Sequence, residues 1–363
     1  MKLSDVTLRE GDQMPGRNYT AEQKIEAGLA LDRLGLAYIQ PGFPVTGEKD
    51  REVVSELSAR ADADVVGIAR AIQGDLDAAL DAEADVVEVF VPASDLHLEY
   101  TLGKTRAEMH ELLRDAVDYV HDHGGTAHVT LADAFRTEPA QLIELFELLP
   151  DVPHLGLADT VGARTPATVT ELLEALAESV DLSRAGVHCH DDMGCGTANV
   201  LAARAAGVGK ADVSVASLGE RAGNSCLEEV VVASAVDHGV SLVENGAELV
   251  PVCREVLDVL GETLDPRKAV LGAETAEHES GLHTAAMLEK PTVFEAFDPA
   301  QFGGERKLIF GVGTGRGGAR KLLARAGVEA DDETVAAFLE TLAANGPVEM
   351  DEALALAERE FGR

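Results

Sequence analysis

DVVGIAR at residues 64–70 and DVVEVFVP at residues 85–92 are short apolar runs, rich in β-branched side chains and separated by about one helix. Runs of this kind are typical of buried parallel strands, which require a crossover connection between them. Polar residues mark the end of each run, Arg70 in the first case and Ser94 with His97 in the second. The stretch therefore predicts a strand–helix–strand unit of an α/β fold.

The same unit recurs along the first two thirds of the chain. Eight such runs are found, at Asp5–Leu8, Ala37–Pro41, Asp64–Arg70, Asp85–Pro92, Thr126–Asp133, His154–Thr160, Gly186–Asp191 and Asp212–Leu218. Stretches with helical periodicity lie between them, including Ala21–Leu34, Ala107–His121, Pro166–Val180 and Thr197–Ala206. Alternation at about 30 residues per unit predicts a (β/α)8 TIM barrel. The alternative is an open doubly wound sheet, which usually carries a glycine-rich turn after its first strand, where this chain has REGDQ (9–13).

Polar side chains fall at the carboxyl ends of the predicted strands, the rim on which such barrels build their active sites. These residues are Arg9, Glu10, Gln40, Arg70, Ser94, His97, Thr130, Asp133, Asp159, Thr160, His188, His190 and Asn224. Among them we assign substrate binding to Arg70, Thr130 and Thr160, whose side chains are hydrogen-bonding groups.

The sequence VHCHDD (187–192) predicts a metal site. Side chains alternate along a strand, so His188 and His190 face the same way, and two imidazoles one pleat apart can hold one divalent cation. Glu10 and Asn224 could supply oxygen ligands, because the first and eighth strands are neighbours in a closed barrel. A mixed nitrogen and oxygen set suits Mg, Mn or Zn better than the thiolate-rich set of a structural zinc site.

Arg9 precedes Glu10 directly and is a candidate catalytic residue. A guanidinium at a metal-bearing rim can hold a carboxylate or stabilise an enolate oxygen. The alternative for Arg9 is a structural salt bridge that helps to close the barrel.

The barrel pattern stops after about residue 265. We predict a catalytic barrel over residues 1–270 and a small, mainly helical C-terminal appendage over residues 271–363. The appendage contains a glycine-rich loop, GVGTGRGG (311–318). The loop lacks the Lys-Ser/Thr ending and the βαβ surroundings of a phosphate-binding loop, so nucleotide binding is disfavoured.

The chain has 65 acidic and 30 basic residues and a formal net charge of −35. Such a surface repels nucleic acids. Because the charge is spread evenly, it favours a salt-adapted (halophilic) protein, the alternative being an ordinary acidic enzyme.

No apolar run reaches the roughly 18–20 residues of a membrane helix, and the polar N-terminus is unlike a signal peptide. The four cysteines form no CxxC pair. These features predict a soluble, cytoplasmic, reduced protein.

The motifs resemble the acyl-CoA-condensing branch of the DRE-TIM metallolyases, which comprises 2-isopropylmalate, homocitrate and citramalate synthases. The matching segments cover nearly the whole chain in order: DVTLREGDQ (5–13), GFP (42–44), GIARA (67–71), SDLHLEYTLGKT (94–105), LADTVG (157–162), VHCHDDMGCGTAN (187–199), GERAGN (219–224) and HESGLH (278–283).

The resemblance implies a Claisen-type condensation of acetyl-CoA, as co-substrate, with a 2-oxo acid, and a divalent metal held by the four residues named above. It implies that Arg9 and Thr160 bind the 2-oxo acid and that His97 lies in the substrate pocket. It also implies a homodimer in which the appendage crosses over and His283 reaches the partner's active site. The chain ends where many isopropylmalate synthases begin a regulatory domain, so none is expected here.

Within the family, GIARA, GERAGN and the SxxH after strand four resemble isopropylmalate or citramalate synthases. Glu10, where those enzymes usually carry Asp, resembles homocitrate synthases. The strand-five arginine with which homocitrate synthases hold a second carboxylate corresponds to His128. We therefore favour a branched or short apolar 2-oxo acid and a role in amino-acid (leucine) biosynthesis.

Two positions depart from the family pattern. The family's strand-five glutamate is Ala132, and the tyrosine expected about eleven residues after HESGLH is Phe294. Both lost groups are acid/base candidates. The departures keep open a slower or rewired synthase and a metal-binding homologue without turnover, beside the third alternative of a carbon–carbon lyase.

Overall fold

The computed structural model describes residues 1–362 and divides into two compact units, the first spanning Met1–Leu264 and the second beginning at Asp265. The domain limits expected from the sequence, 1–270 and 271–363, stay a prediction, and the last residue, Arg363, lies outside the described part.

The first unit is a closed barrel of parallel strands, which confirms the predicted TIM barrel. Within residues 1–362, its strands follow chain order: β1 Lys2–Asp5, β2 Tyr38–Gly42, β3 Asp64–Arg70, β4 Val86–Pro92, β5 Thr126–Ala132, β6 Leu155–Asp159, β7 Ala185–Cys189 and β8 Lys210–Val213. Closure occurs at β1, where Asp5 pairs with Ile39 of β2 on one side and with Val213 of β8 on the other.

Helices connect and surround the strands. They are α1 Ala21–Asp32, α2 Glu48–Ser58, α3 Gln73–Asp81, α4 Arg106–Asp122, α5 Pro139–Leu148, α6 Pro166–Ala177, α7 Gly196–Ala205, α8 Leu227–His238 and α9 Leu249–Leu260, with short helices at Thr7–Glu10 and Asp95–His97. Capping boxes start α1 and α4, in which Thr20 pairs with Gln23 and Thr105 with Glu108. Each box satisfies backbone N–H groups that a helix start leaves without partners.

The first strand ends earlier than the sequence pattern predicted. The run Asp5–Leu8 was expected to be extended, whereas β1 stops at Asp5 and a helical turn covers Thr7–Glu10. The Asp5 carboxylate accepts hydrogen bonds from the backbone N–H and the hydroxyl of Thr7. This local bond competes with the strand ladder and turns the chain, so that Arg9 and Glu10 lie on the turn above the strand.

The second unit packs helices against a small sheet. Its helices are α10 Gly281–Met287, α11 Arg316–Arg325, α12 Asp332–Asn345 and α13 Met350–Phe361, and its strands are β9 Glu277–His278, β10 Lys307–Phe310 and β11 Val348–Glu349. Strand β10 lies in the middle, parallel to β9 and antiparallel to β11. Phe310, Phe338 and Leu342 are buried in its core. The unit is mainly helical, as predicted.

Among residues 1–362, none of the helices combines the length and the apolar composition needed to cross a membrane.

Candidate metal centre and substrate rim

Glu10, His188 and His190 are brought together at the carboxyl end of the barrel. All three are buried, and one ligand atom from each lies within 4.8 Å of the others. The Nε2 atoms of the two imidazoles are 3.3 Å apart, and Glu10 Oε1 lies 3.5 Å from His188 Nε2. Three side chains from two distant parts of the sequence thus converge on one point.

The local backbone explains this convergence. His188 belongs to β7, whereas His190 lies one residue past its end and forms an isolated antiparallel bridge with Asn224. Asn224 donates from Nδ2 to the carbonyl of Leu218 at 3.3 Å. Its amide is thereby oriented at the same end of the barrel as the histidines.

The atoms left without partners fit a divalent metal. Within the described residues, Glu10 Oε2 and Asn224 Oδ1 are buried and make no hydrogen bond. Buried acceptors without donors are costly, and only one proton can lie between the facing Nε2 atoms of two neutral imidazoles. Two imidazole nitrogens with carboxylate and amide oxygens form a donor set that Mg, Mn and Zn accept.

The electrostatics keep these groups ready to bind a cation. Burial alone would raise the pKa of Glu10, but the Arg9 guanidinium and the two imidazoles hold that pKa well below its usual range. Burial, reinforced by His188, lowers the pKa of His190 to about 4. At neutral pH the carboxylate is therefore ionised and the His190 imidazole neutral, which are the forms that ligate metals.

Arg9 lies directly beside this group. Its Nη1 donates to Glu10 Oε1 at 2.5 Å, and its Nε donates to Gln40 on β2. The contact with Glu10 is a salt bridge between adjacent residues, so it does not by itself close the barrel, which was the alternative for Arg9. It leaves other guanidinium N–H groups of Arg9 for a ligand.

A second polar cluster joins the ends of β4, β5 and β6. Asp133 is buried, has a left-handed backbone (φ 60°), and accepts hydrogen bonds from Ser94 at 2.5 Å and Arg136 at 2.6 Å. Its own N–H donates to Thr160 Oγ1 at 2.8 Å, so the Thr160 hydroxyl proton can serve a ligand. His97 Nε2 lies 3.8 Å from Asp133, too far for a hydrogen bond.

The other two substrate candidates have partners within the protein. The Thr130 hydroxyl donates to Glu88 Oε1 at 2.8 Å, so Thr130 can only accept a hydrogen bond from a ligand. Arg70 makes a bidentate contact with Asp75, and its side chain is 51% exposed. Its planar fork is occupied, and its role in substrate binding stays a prediction.

His283 belongs to the second unit, on α10, where its ring stacks on Phe294 with centroids 3.9 Å apart. Phe294, which by the resemblance stands at the family's tyrosine position, thus touches His283, the predicted catalytic histidine. Ala132 is the last residue of β5 and pairs with Pro92. Neither position supplies an acid or base.

Sequence reasoning did not single out three buried charged residues inside the barrel, Glu88, Lys210 and Asp212. Asp212 accepts a hydrogen bond from His188 Nδ1 at 3.0 Å. A signal was present, since Lys210 and Asp212 alternate along β8 at positions where a barrel interior usually has apolar side chains.

Two models of known protein families match the chain. Residues 1–254 match the family model described as HMGL-like, and residues 270–347 match the model described as homocitrate synthase post-HMGL domain-like.

Related proteins carry synthase names. The chain is 39% identical to the homocitrate synthase AksA of Methanopyrus kandleri, over 94% of this chain and 87% of that protein. It is 36% identical to a probable 2-isopropylmalate synthase of the same organism, over 92% of this chain and 67% of that protein. A putative (R)-citramalate synthase, CimA, of that organism is 37% identical over 94% of this chain and 68% of the relative.

Among solved structures, the HMG-CoA lyase of Bacillus subtilis is similar with a TM-score of 0.64 and 24% identity, covering 72% of this chain and 94% of that one. The Pseudomonas aeruginosa hydroxymethylglutaryl-CoA lyase has the same TM-score and identity and covers 72% and 93% of the two chains. At this identity the similarity shows the barrel fold.

Proposed function

Because the chain belongs to the HMGL-like family, in the acyl-CoA-condensing branch of the DRE-TIM metallolyases, we propose that it is an acyltransferase that condenses acetyl-CoA with a 2-oxo acid. The acyl group becomes an alkyl group on transfer (EC 2.3.3.-). The observation that carries the proposal is the buried group of Glu10, His188 and His190 beside Arg9 at the barrel's carboxyl end.

Glu10, His188, His190 and Asn224 would hold the metal. A divalent metal bound there would supply Lewis acidity toward the 2-oxo acid. Arg9 donates from its remaining N–H groups to the oxygen on which negative charge develops, which is stabilising in a site of low polarity. The Thr160 hydroxyl donates to the substrate carboxylate, and His97 lines the pocket.

The reaction needs a base for the methyl group of acetyl-CoA. Since Ala132 offers no carboxylate, we propose that His283 of a second copy of the chain, in a homodimer, takes this proton. The enolate carbon then forms a bond to the 2-oxo carbon as the carbonyl π bond breaks, and the resulting alkoxide oxygen takes back the proton held by His283 and becomes a hydroxyl. Water then cleaves the thioester, which yields free coenzyme A and a carboxylate. Histidine suits this step because it titrates near neutrality.

For the 2-oxo acid we propose a branched or short apolar side chain, as in 2-isopropylmalate synthases. By the resemblance, His128 stands at the strand-five position where homocitrate synthases have an arginine. Burial, with Lys210 nearby, lowers the pKa of this ring to about 2, so it carries no charge for a second carboxylate.

A dicarboxylic 2-oxo acid is the second candidate, and citramalate synthesis, from a short 2-oxo acid, is the third. The relatives named homocitrate synthase AksA, at 39% and 36% identity, favour the dicarboxylic acid, as does Glu10. A homologue that binds metal and 2-oxo acid without condensing them would also explain Ala132 and Phe294.

The test is release of free thiol from acetyl-CoA with a panel of 2-oxo acids, in about molar KCl and with Mg, Mn or Zn. We expect turnover with the branched or short apolar acids. His188→Ala is expected to abolish turnover and to lower the bound metal measured by elemental analysis. His238→Ala, at an exposed position on α8, is the matched control and should change neither quantity.

Two further variants test the proposed base. His283→Ala should remove thiol release while 2-oxo acid binding is kept, and Ala132→Glu should raise the rate or leave it unchanged. Retention of most of the rate in His283→Ala would exclude that base. If the wild type releases no thiol with any acid, the non-condensing homologue becomes the better explanation.

A further inference from the structure

A line of buried charged side chains crosses the interior of the barrel beneath the candidate metal centre. Lys210 Nζ on β8 lies 2.6 Å from Glu88 Oε2 on β4. These strands are four places apart in the closed order, on opposite walls. The ion pair can therefore form only through the barrel interior.

Asp212 connects this ion pair to the candidate metal centre. Its Oδ1 lies 3.4 Å from Lys210 Nζ, and its Oδ2 lies 3.0 Å from His188 Nδ1. Asp212, Lys210 and Glu88 are only 5%, 3% and 4% exposed. The lysine also lies over the Tyr38 ring, 5.6 Å from its centroid, which further restricts its position.

We propose that Asp212, held by Lys210 and Glu88, is a positioning residue that fixes the orientation and tautomer of His188. A carboxylate facing a buried lysine offers only lone pairs, so His188 must carry its proton on Nδ1. The Nε2 lone pair is then left for the point where Glu10 and His190 converge. The inference rests on the proposed function for the metal that Glu10, His188 and His190 would hold.

Energetics favour a positioning role over a purely stabilising one. Burying three charges costs hydration, and such networks commonly add little net stability compared with apolar side chains of similar size. A carboxylate on the far nitrogen of a ligating histidine, by contrast, typically changes metal affinity 10- to 100-fold.

The first measurement is spectroscopic and uses the metal-free protein. With ¹⁵N-labelled histidine, we expect wild-type His188 to show a protonated Nδ1 and a bare Nε2. In Asp212→Asn, which keeps the size, the carboxamide can accept from Nδ1–H or donate to a bare Nδ1. Both tautomers are then expected. A single unchanged tautomer in Asp212→Asn would overturn the inference.

The second measurement is the Kd for Mn²⁺ by titration calorimetry on the full chain. Asp212→Ala should weaken binding about 10- to 100-fold, and Asp212→Glu should restore most of it. Asp50→Asn is the matched control, because Asp50 is also a buried carboxylate, paired with the buried Lys24 at 2.8 Å. Asp50→Asn should lose about as much unfolding free energy as Asp212→Ala and keep the wild-type Kd for Mn²⁺.

The outcomes separate the two proposals. If wild type and Asp212→Ala bind Mn²⁺ equally well, Asp212 does not position His188. If the wild type binds no divalent metal, the proposed function fails, while the tautomer measurement still decides the role of Asp212. If Asp212→Ala does not fold, Asp212→Asn replaces it in the titration, with a smaller weakening expected.

Discussion

The position of each histidine inside the barrel determines what its ring can do. His188 and His190 face each other and Glu10 at the carboxyl end. His128 and His154 instead form an edge-to-face aromatic group with Tyr38. The first pair is suited to a cation, whereas the second pair packs as neutral rings, because burial and the nearby Lys210 lower the pKa of both, that of His154 to about 4.

The neutral His154 predicts acid sensitivity. An unfolded histidine takes up a proton near pH 6.5, whereas folded His154 stays neutral down to about pH 4. The contribution of the neutral His154 ring to the free energy of unfolding is therefore complete above pH 6.5 and is lost as the pH falls below that value. When the pH is lowered from 6.5 to 5, the unfolding free energy of wild type should fall by about 1–2 kcal/mol more than that of His154→Gln. The measurement is urea denaturation at constant KCl.

His238→Gln, at an exposed position, serves as the control for this measurement and should follow the wild-type pH dependence. Equal acid sensitivity of His154→Gln and wild type would show that other groups cause the loss.

At the scale of elements, the glycine-rich loop is a packing surface for the segment that bears His283. Gly281 begins α10 in close backbone contact with the loop, and a Cβ there would lie 2.5 Å from the N of Gly315 and 2.7 Å from the O of Gly313. Glycine permits this approach because it has no side chain. The loop explains the placement of α10 without a phosphate ligand.

Gly281→Ala is therefore expected to destabilise the second unit. Because backbone atoms must move, a loss of about 1–3 kcal/mol is expected, measured by chemical denaturation. Thiol release should fall with it if His283 is the base. Gly317→Ala in α11 is the matched control, since its Cβ would meet only Ala285 Cβ at an ordinary 3.6 Å. The control should be neutral or stabilising. Equal stability of both variants would refute the packing role.

At the scale of the whole molecule, the net charge of −35 is the main electrostatic feature. Many carboxylates lie on the surface, where like charges repel over a Debye length of about 10 Å at 0.1 M salt and about 3 Å at 1 M. Added salt should thus remove a destabilising repulsion from the compact state.

We expect the midpoint of thermal unfolding to rise steadily between about 0.1 and 2 M KCl, with cooperative unfolding lost at low salt. A neutral osmolyte such as sucrose, at matched water activity, is the control for effects other than charge screening. A midpoint independent of KCl, or an equal rise in sucrose, would exclude salt adaptation through surface charge.

Sequence alone was sufficient for the barrel and for grouping Glu10, His188 and His190, which the structure brings within 4.8 Å of one another, while their role as metal ligands stays a prediction. Strand–helix alternation is a local pattern, and the carboxyl ends of parallel strands meet on one rim, so Glu10, His188 and His190 could be grouped without coordinates. Local hydrogen bonding changed details within this frame. The Asp5 carboxylate ends β1 three residues earlier than predicted, with the strand stopping at Asp5 instead of Leu8.

Only the tertiary structure revealed which polar groups pair across the barrel. Lys210 and Glu88 are 122 residues apart in the sequence, and no local periodicity relates them. The pairing of Arg70 with Asp75 likewise depends on side-chain direction at the rim, which the spacing of strands leaves open. Apolar patterning determines which elements form, because the spacing of apolar residues is a property of each segment. Ion pairs and tautomers depend instead on which walls the closed barrel brings face to face.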